Sequence, residues 1–252
     1  MAEIAPAQKF SRFARYYDAF MDYIDYPGWV QYIMEILDTY GIKGKKLLDL
    51  ACGTGTCAVL FAKKGFEVYG IDVSEDMLEQ ARKKISAMFY NIGFSCQDLR
   101  NFKLEKKVDV VTCLYDSMNY LLEEEDVRQA FGSAYNALNN GGAFIFDLNT
   151  EYALSVVWGN GVMRRREGGF PSLWRNFYDP ETHTGTLHLT WTIKENGSKK
   201  EYYETHRERA YPNSRIEEFL KEAGFKEAMI FSHRTFEPPA EISPRVMVVA
   251  VT

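Results

Sequence analysis

Between an apolar run and a helical stretch the sequence reads Asp49-Leu50-Ala51-Cys52-Gly53-Thr54-Gly55-Thr56. Glycines at such a turn let a ligand approach the backbone closely. In an open α/β sheet that turn lies outside the carboxyl ends of the strands, near the point where strand order reverses. The spacing Gly53-x-Gly55-x-x-Ala58 also satisfies a dinucleotide fingerprint, with Asp72 at the end of the next apolar run as the ribose ligand. Two nucleoside cofactors therefore compete for one turn.

Charge separates them. A diphosphate prefers a helix N-terminus free of carboxylates, whereas Asp49 stands four residues before the first glycine. At about 4 Å and an effective dielectric near 20, two unit charges interact by about 4 kcal/mol, so an ionised Asp49 repels phosphate and attracts a cation. Aspartate also ends the other expected parallel strands, at Asp72, Asp98, Asp116 and Asp147. A lone aspartate at such a place is an ordinary cap or turn former. Their joint placement suits a cationic ligand that carries hydroxyls for Asp72 and an exocyclic amine for Asp98. S-Adenosylmethionine, with an ammonium and a sulfonium beside its ribose and adenine, meets that description; NAD, with its diphosphate, does not.

The elements that position these residues follow from rhythm. From Lys45, short apolar runs (KKLLDLAC, EVYGID, NIGFSCQDL, VDVVTCLYD, AFIFDL) alternate with helical stretches at Cys57 to Lys64, Glu75 to Lys84 and Glu123 to Leu138. That order predicts right-handed βαβ units, and so an α/β fold with a doubly wound, mostly parallel sheet. Two aromatic-rich helices, Phe10 to Tyr23 and Trp29 to Tyr40, precede it, separated by Pro27-Gly28, and read as a lid. From about Glu151 to Ala210 the pattern becomes an antiparallel meander. Leu187, Leu189, Trp191 and Ile193 alternate with polar residues, and turns fall at Asp179-Pro180 with Gly185 and at Asn196-Gly197. Ser214 with Glu217 forms a capping-box pattern for a last helix that ends at Gly224, and Ala228 to Phe231 and Val246 to Val251 return to the main sheet. The expected division is a cofactor domain over 1–150 and 211–252, with 1–42 as helical lid, and a cover layer over 151–210.

At these residues the chain resembles the class I S-adenosylmethionine-dependent methyltransferases. DLACGTG followed by GIDVSEDML is similar to the first two motifs of that family, CQDL and CLYDSMNYL to later ones, and NALNNGGAFIFDLNT to the stretch around the fifth strand. The likeness is to the small-molecule branch that includes glycine N-methyltransferase and sugar-amine dimethyltransferases, whose FAxxYD element is matched by Phe13-Ala14-Arg15-Tyr16-Tyr17-Asp18. Ala51 departs from a frequent family glycine. The resemblance implies a seven-stranded Rossmann-like sheet and S-adenosyl-L-methionine as cofactor, with S-adenosyl-L-homocysteine as product. It places Asp49, Ala51, Cys52, Gly53, Gly55 and Thr56 in the turn against the methionine portion. Asp72 would take the ribose hydroxyls, with Val73 and Met77 beside the adenine. Gln97, Asp98 and Leu99 would edge the adenine, Tyr17 would close over the methionyl end, Leu114 would offer a carbonyl to the amino group, and Tyr120 would stand where a relative has a cofactor-contacting histidine.

A methyl acceptor must lose a proton if it is an amine, and a hydroxyl needs a base, so Tyr115 and Asp116, just after the fourth strand, are the catalytic candidates. Arg175, His188, His206, Arg207 and Arg209 of the meander are candidates to face an anionic acceptor. Thirty Lys plus Arg against 35 Asp plus Glu give a net charge of −5, and no Asp/Asn-Pro-Pro-Tyr/Phe follows the fourth strand. Both features disfavour nucleic acid as acceptor and leave a small molecule. Cys52, Cys57, Cys96 and Cys113 form no C-x-x-C, and His183 and His188 have no companion ligands, so no metal is expected. Without a signal-like start or an apolar run near the ~18 residues that span a bilayer, a cytoplasmic location and no membrane partner are expected.

Overall fold

The computed structural model describes residues 13–86, 90–195 and 197–252. The first three residues of the Phe10 to Tyr23 helix and Asn196 of the Asn196-Gly197 turn lie outside the described residues. Seven strands form one sheet, β1 (Lys46–Leu50), β2 (Glu67–Asp72), β3 (Ile92–Cys96), β4 (Val108–Cys113), β5 (Leu138–Asn149), β10 (Glu227–Ser232) and β11 (Arg245–Val251), in the order β10-β11-β5-β4-β1-β2-β3. β1 pairs parallel with both β2 and β4, β4 pairs parallel with β5, and β11 lies antiparallel between β5 and β10. The chain leaves β1 toward β2 and β3 and returns on its other side through β4. The strand order therefore reverses beside the carboxyl end of β1, where an open α/β sheet has its binding crevice.

Both faces of this sheet are buried, as a parallel sheet requires. One face packs Leu48, Leu50, Val111 and Phe146 under α5 (Glu124–Ala137) and α6 (Asn213–Ala223). The other packs Leu47, Val68, Val110 and Ile145 under α2 (Tyr26–Thr39) and α3 (Thr56–Lys63). A second sheet, β6 (Gly161–Glu167), β7 (Phe170–Asp179), β8 (Thr184–Glu195) and β9 (Ser198–Arg209), is wholly antiparallel. The alternation in β8 holds. Leu187, Leu189, Trp191 and Ile193 are buried and pack with Phe13, Phe20 and Met21, which lie on and around α1 (Ala14–Phe20). Helix α4 (Glu75–Ile85) covers β3.

Several expected boundaries move. Pro27 and Gly28 do not separate two helices; they lie in the first turn of α2, where the missing proline N–H costs nothing, and Asp25 caps that helix by accepting from Gly28 N. Ser214 lies inside α6 and caps nothing, because the helix begins at Asn213 after Pro212, while Gly224 does end it in a left-handed conformation. The meander starts at Gly161, preceded by a helical stretch whose last turns, Ala153–Trp158, are π-helical. Asp147 does not end its strand; it sits within β5, fully buried, while Asp98 and Asp116 fall just beyond β3 and β4.

Candidate active site

The turn after β1 bends through three alternate left-handed positions. Ala51 has φ 51°, Gly53 54° and Gly55 74°. An alanine there is strained by about 1 kcal/mol relative to glycine, which explains why glycine is frequent at this position in the family the turn resembles. A side chain at Gly53 would meet no protein atom within 4 Å and would instead fill the space in front of the turn. Gly55 serves a different purpose. A Cβ there would stand 2.9 Å from Phe94 and 3.1 Å from Ala81, so this glycine lets α3 start tightly against the sheet and does not line the open space.

In front of the turn lies a cavity of about 530 Å³. It brings together Tyr17, Ala51, Gly53, Asp72, Val73, Met77, Gln97, Asp98, Leu99, Tyr115, Asp116 and Tyr120 from the expected set. A recess of about 60 Å³ behind the turn collects Asp49, Cys52, Thr56 and Leu114, with Tyr17, Ala51, Gly53 and Tyr115 shared between the two. Of the expected cofactor and catalytic residues only Gly55 lines neither.

Each aspartate has its own physical setting. Asp72 accepts hydrogen bonds from Gly53 N and Ser74 N, both at 2.8 Å, so its carboxyl ties the glycine turn to the start of α4. Burial pushes its pKa up, against those two backbone donors. Asp49 pairs with Thr112 across β1 and β4 and accepts its hydroxyl at 2.7 Å. Burial pushes Asp49 up to about 7, so the premise of a fully ionised carboxylate needs correction: without a cation beside it, the group is half-neutral near pH 7. Asp98 is held low by Arg100, which grips it through Nε and Nη2 while Nη1 reaches Asp126 at 3.0 Å.

Beyond β4 the chain is strained. Tyr115 and Asp116 have φ 64° and 53°, and neither is glycine. Asp147 holds them there by accepting both backbone N–H groups, at 2.6 and 2.9 Å, so the buried carboxyl within β5 shapes the loop from beneath. Burial and the neighbouring Asp116 push the Tyr115 phenol far up, which makes it a poor base.

Sequence reasoning passed over several cavity residues. Arg245, from the start of β11, ion-pairs with Asp116 at 2.8 Å and with Asp147, and it lies over the rings of Trp29 and Tyr115. Glu208 of β9 is 1% exposed and lines the cavity, as do Phe13, Trp158 and Trp174. The signal that could have found Glu208 was the strand alternation of β9, on which His206 and Glu208 share the buried face. His206 does reach the cavity, its Nδ1 2.9 Å from the Tyr120 hydroxyl, whereas His188 is exposed on the opposite face of its strand and bonds Thr205. Arg209 turns its guanidinium to the Leu122 carbonyl. Among the described residues no group of acids, histidines and cysteines could hold a metal, and no helix is long and apolar enough to cross a membrane.

Known proteins share this architecture. A model of the methyltransferase domain matches residues 47–142. The solved S-adenosylmethionine-dependent methyltransferase of Clostridium acetobutylicum ATCC 824 superposes with a TM-score of 0.85 at 27% identity, over 97% of this chain and 99% of that one. A protein of Geobacillus sp. (strain WCH70), provisionally named a methyltransferase, is 34% identical over 243 residues, which is 96% of this chain and 98% of the relative. The chain belongs to the S-adenosylmethionine-dependent methyltransferases. A further relative of this methyltransferase, the dTDP-3-amino-3,4,6-trideoxy-α-D-glucopyranose N,N-dimethyltransferase of Streptomyces venezuelae, is 32% identical over 123 residues, 49% of this chain and 50% of that one. The methyltransferase fits its cofactor where the turn is open. Gly53 leaves a cradle that a Cβ would fill, and beside it Val73, 73% exposed, presents an uncovered apolar face.

Proposed function

We propose that this methyltransferase moves the methyl group to a nitrogen or oxygen atom of a small-molecule acceptor enclosed between the glycine turn, α1 and β8. The observation that carries this reading is the cavity itself. One wall is the expected cofactor set, Gly53, Asp72, Val73, Met77, Asp98 and Leu99; the opposite wall is Phe13, Phe20, Trp174, Leu187 and Leu189, from elements the cofactor does not need. A cavity of this size, aromatic and aliphatic on one wall and rich in acids and other polar groups on the rest, suits a polar small molecule. The amino-sugar dimethyltransferase of Streptomyces venezuelae is a compatible precedent.

S-Adenosylmethionine, when bound, supplies a methyl group already activated on a sulfonium. The protein's share is then alignment of the acceptor and exclusion of water. In this reading Asp72 takes the ribose hydroxyls, Val73, Met77 and Leu99 sandwich the adenine, and Gln97 and Asp98 border its amine. Ala51, Cys52, Gly53 and Thr56 with the Leu114 carbonyl receive the methionyl end, above Asp49 and beneath Tyr17. Tyr120 borders the cofactor, Tyr115 and Asp116 face the acceptor, and residues 151–210 act as the cover layer over a cofactor domain formed by 1–150 and 211–252.

The test is transfer of a labelled methyl group from S-adenosylmethionine into a cell extract separated by size. Label in the low-molecular-weight fraction is the expected result. Label confined to RNA, DNA or protein would refute it.

A further inference from the structure

We infer that Glu208, paired with Asp116, is the proton acceptor of the reaction and that the acceptor is an amine which binds as its ammonium. This rests on the small-molecule reading above. Glu208 comes from β9 and Asp116 from the loop after β4, and the two carboxyls lie within hydrogen-bond reach of each other on the cavity wall. Two buried carboxyls in contact cannot both ionise cheaply, so the pair holds one proton. Burial and Asp116 together push Glu208 upward, which places that proton on it.

The surroundings account for one charge and leave room for one more. Arg245 is shared between Asp116 and Asp147, and with Glu208 close by three buried carboxyls stand around one guanidinium. Asp116 Oδ1, on a residue only 7% exposed, meets Arg245 Nη2 at 2.8 Å as an ion pair but accepts no aligned hydrogen bond. The remaining neighbours are hydrogen-bonding groups, with one further carboxyl, Glu204, 3.1 Å from His206 Nε2. Asn149 Nδ2 gives its hydrogen to Glu208 Oε2 at 2.7 Å, and Asn119 fixes Asn149 by accepting from its backbone N and donating to its carbonyl. Tyr120 and His206 bond each other at 2.9 Å. Three carboxylates against one guanidinium would carry a net charge of −2, so the cluster takes up at least one more positive charge, and an ammonium can stand in for the proton that the pair holds. The aromatic walls Phe13 and Trp158 favour the ammonium's carbon-bearing side, whereas the Trp174 ring already carries the Arg165 guanidinium 4.7 Å from its centroid.

The ammonium displaces the shared proton to solvent and donates N–H to both carboxylates. One N–H proton then passes to Glu208, the freed lone pair forms the N–C bond to the methyl carbon, and the electron pair of the breaking S–C bond remains on sulfur. The product is a methylated ammonium and a neutral thioether, and Glu208 ends with the proton it holds in the free protein.

Glu208→Gln isolates the chemistry. The amide oxygen accepts from Asn149 and the amide N–H donates to Asp116, so both contacts survive while proton acceptance is lost. With methyl-labelled S-adenosylmethionine and low-molecular-weight extract, the wild-type protein should label products that a cation exchanger retains at neutral pH and that mild alkali leaves intact. The variant should lower that label about 100-fold while binding S-adenosylhomocysteine within about twofold of wild type, which reports a folded cofactor site. Undiminished transfer by the variant overturns the inference. So does label that alkali releases as methanol, from an ester, or label in neutral alkali-stable ethers, and in both cases the small-molecule reading stands. Label found only on macromolecules refutes that reading and this inference with it.

Discussion

Asp49 shows how one buried carboxyl can register the charge of a ligand. In the unfolded chain its pKa is about 3.9; in the free folded protein, burial raises it to about 7. The native state therefore binds more protons between those values, and stability falls as pH rises from about 4 to about 7, by a total on the order of 4 kcal/mol. A positive group placed beside Asp49 favours its ionised form, so binding lowers the pKa and releases a proton. Affinity for S-adenosylmethionine should rise with pH up to about 7 and level off above it, with proton release visible as a dependence of calorimetric heat on the buffer's ionisation enthalpy. Asp49→Asn keeps the Thr112 hydrogen bond, so at pH 8 it should melt higher than wild type, bind the cofactor about tenfold more weakly and show a flattened pH profile. An unchanged profile in the variant would mean that some other group governs it. The sequence pointed to Asp49 because a carboxyl beside a glycine turn is conspicuous, but burial, which decides its charge, depends on Thr112 from another strand and is invisible along the chain. Arg245 and Glu208 were passed over for the same reason: each is an ordinary charged residue until β11 and β9 carry it to Asp116.

At the scale of elements, α1 is tied to the glycine turn through one side chain. Asp18 accepts the hydroxyls of Thr54 and Thr56, at 2.5 and 3.3 Å, and its other oxygen meets Lys84 Nζ of α4 at 2.8 Å. Those contacts hold Tyr17 and Phe13 over the cavity. Asp18→Ala removes a partly exposed charge-assisted pair worth about 1 kcal/mol, so S-adenosylhomocysteine should dissociate about fivefold faster, as stopped-flow fluorescence of the nearby aromatics would report. An unchanged rate would show that α1 stays closed without the tie. Strand and helix positions were legible because the apolar runs have clear periods, and β8 keeps its alternation residue for residue. The errors fall where local chemistry serves two ends equally well. Pro27 breaks a helix interior yet suits a first turn, and Ser214 caps well yet lies inside α6, whose N-cap position is taken by Pro212.

For the whole molecule, the fold places two unlike walls around one space. The seven-stranded sheet supplies acids and glycines at its switch point, and the antiparallel sheet with α1 supplies aromatic and aliphatic cover. The rhythm of the sequence separated the two sheets, but not the way they face each other, because the packing of α1 on β8 joins segments more than 160 residues apart along the chain. The measurement that tests this arrangement most directly is a crystal structure with S-adenosylhomocysteine bound. The account predicts the ribose on Asp72, the adenine between Val73 and Leu99, and the sulfur directed across the cavity toward Asp116 and Glu208. An adenosyl group seated elsewhere, or a sulfur turned away from the antiparallel sheet, would contradict it.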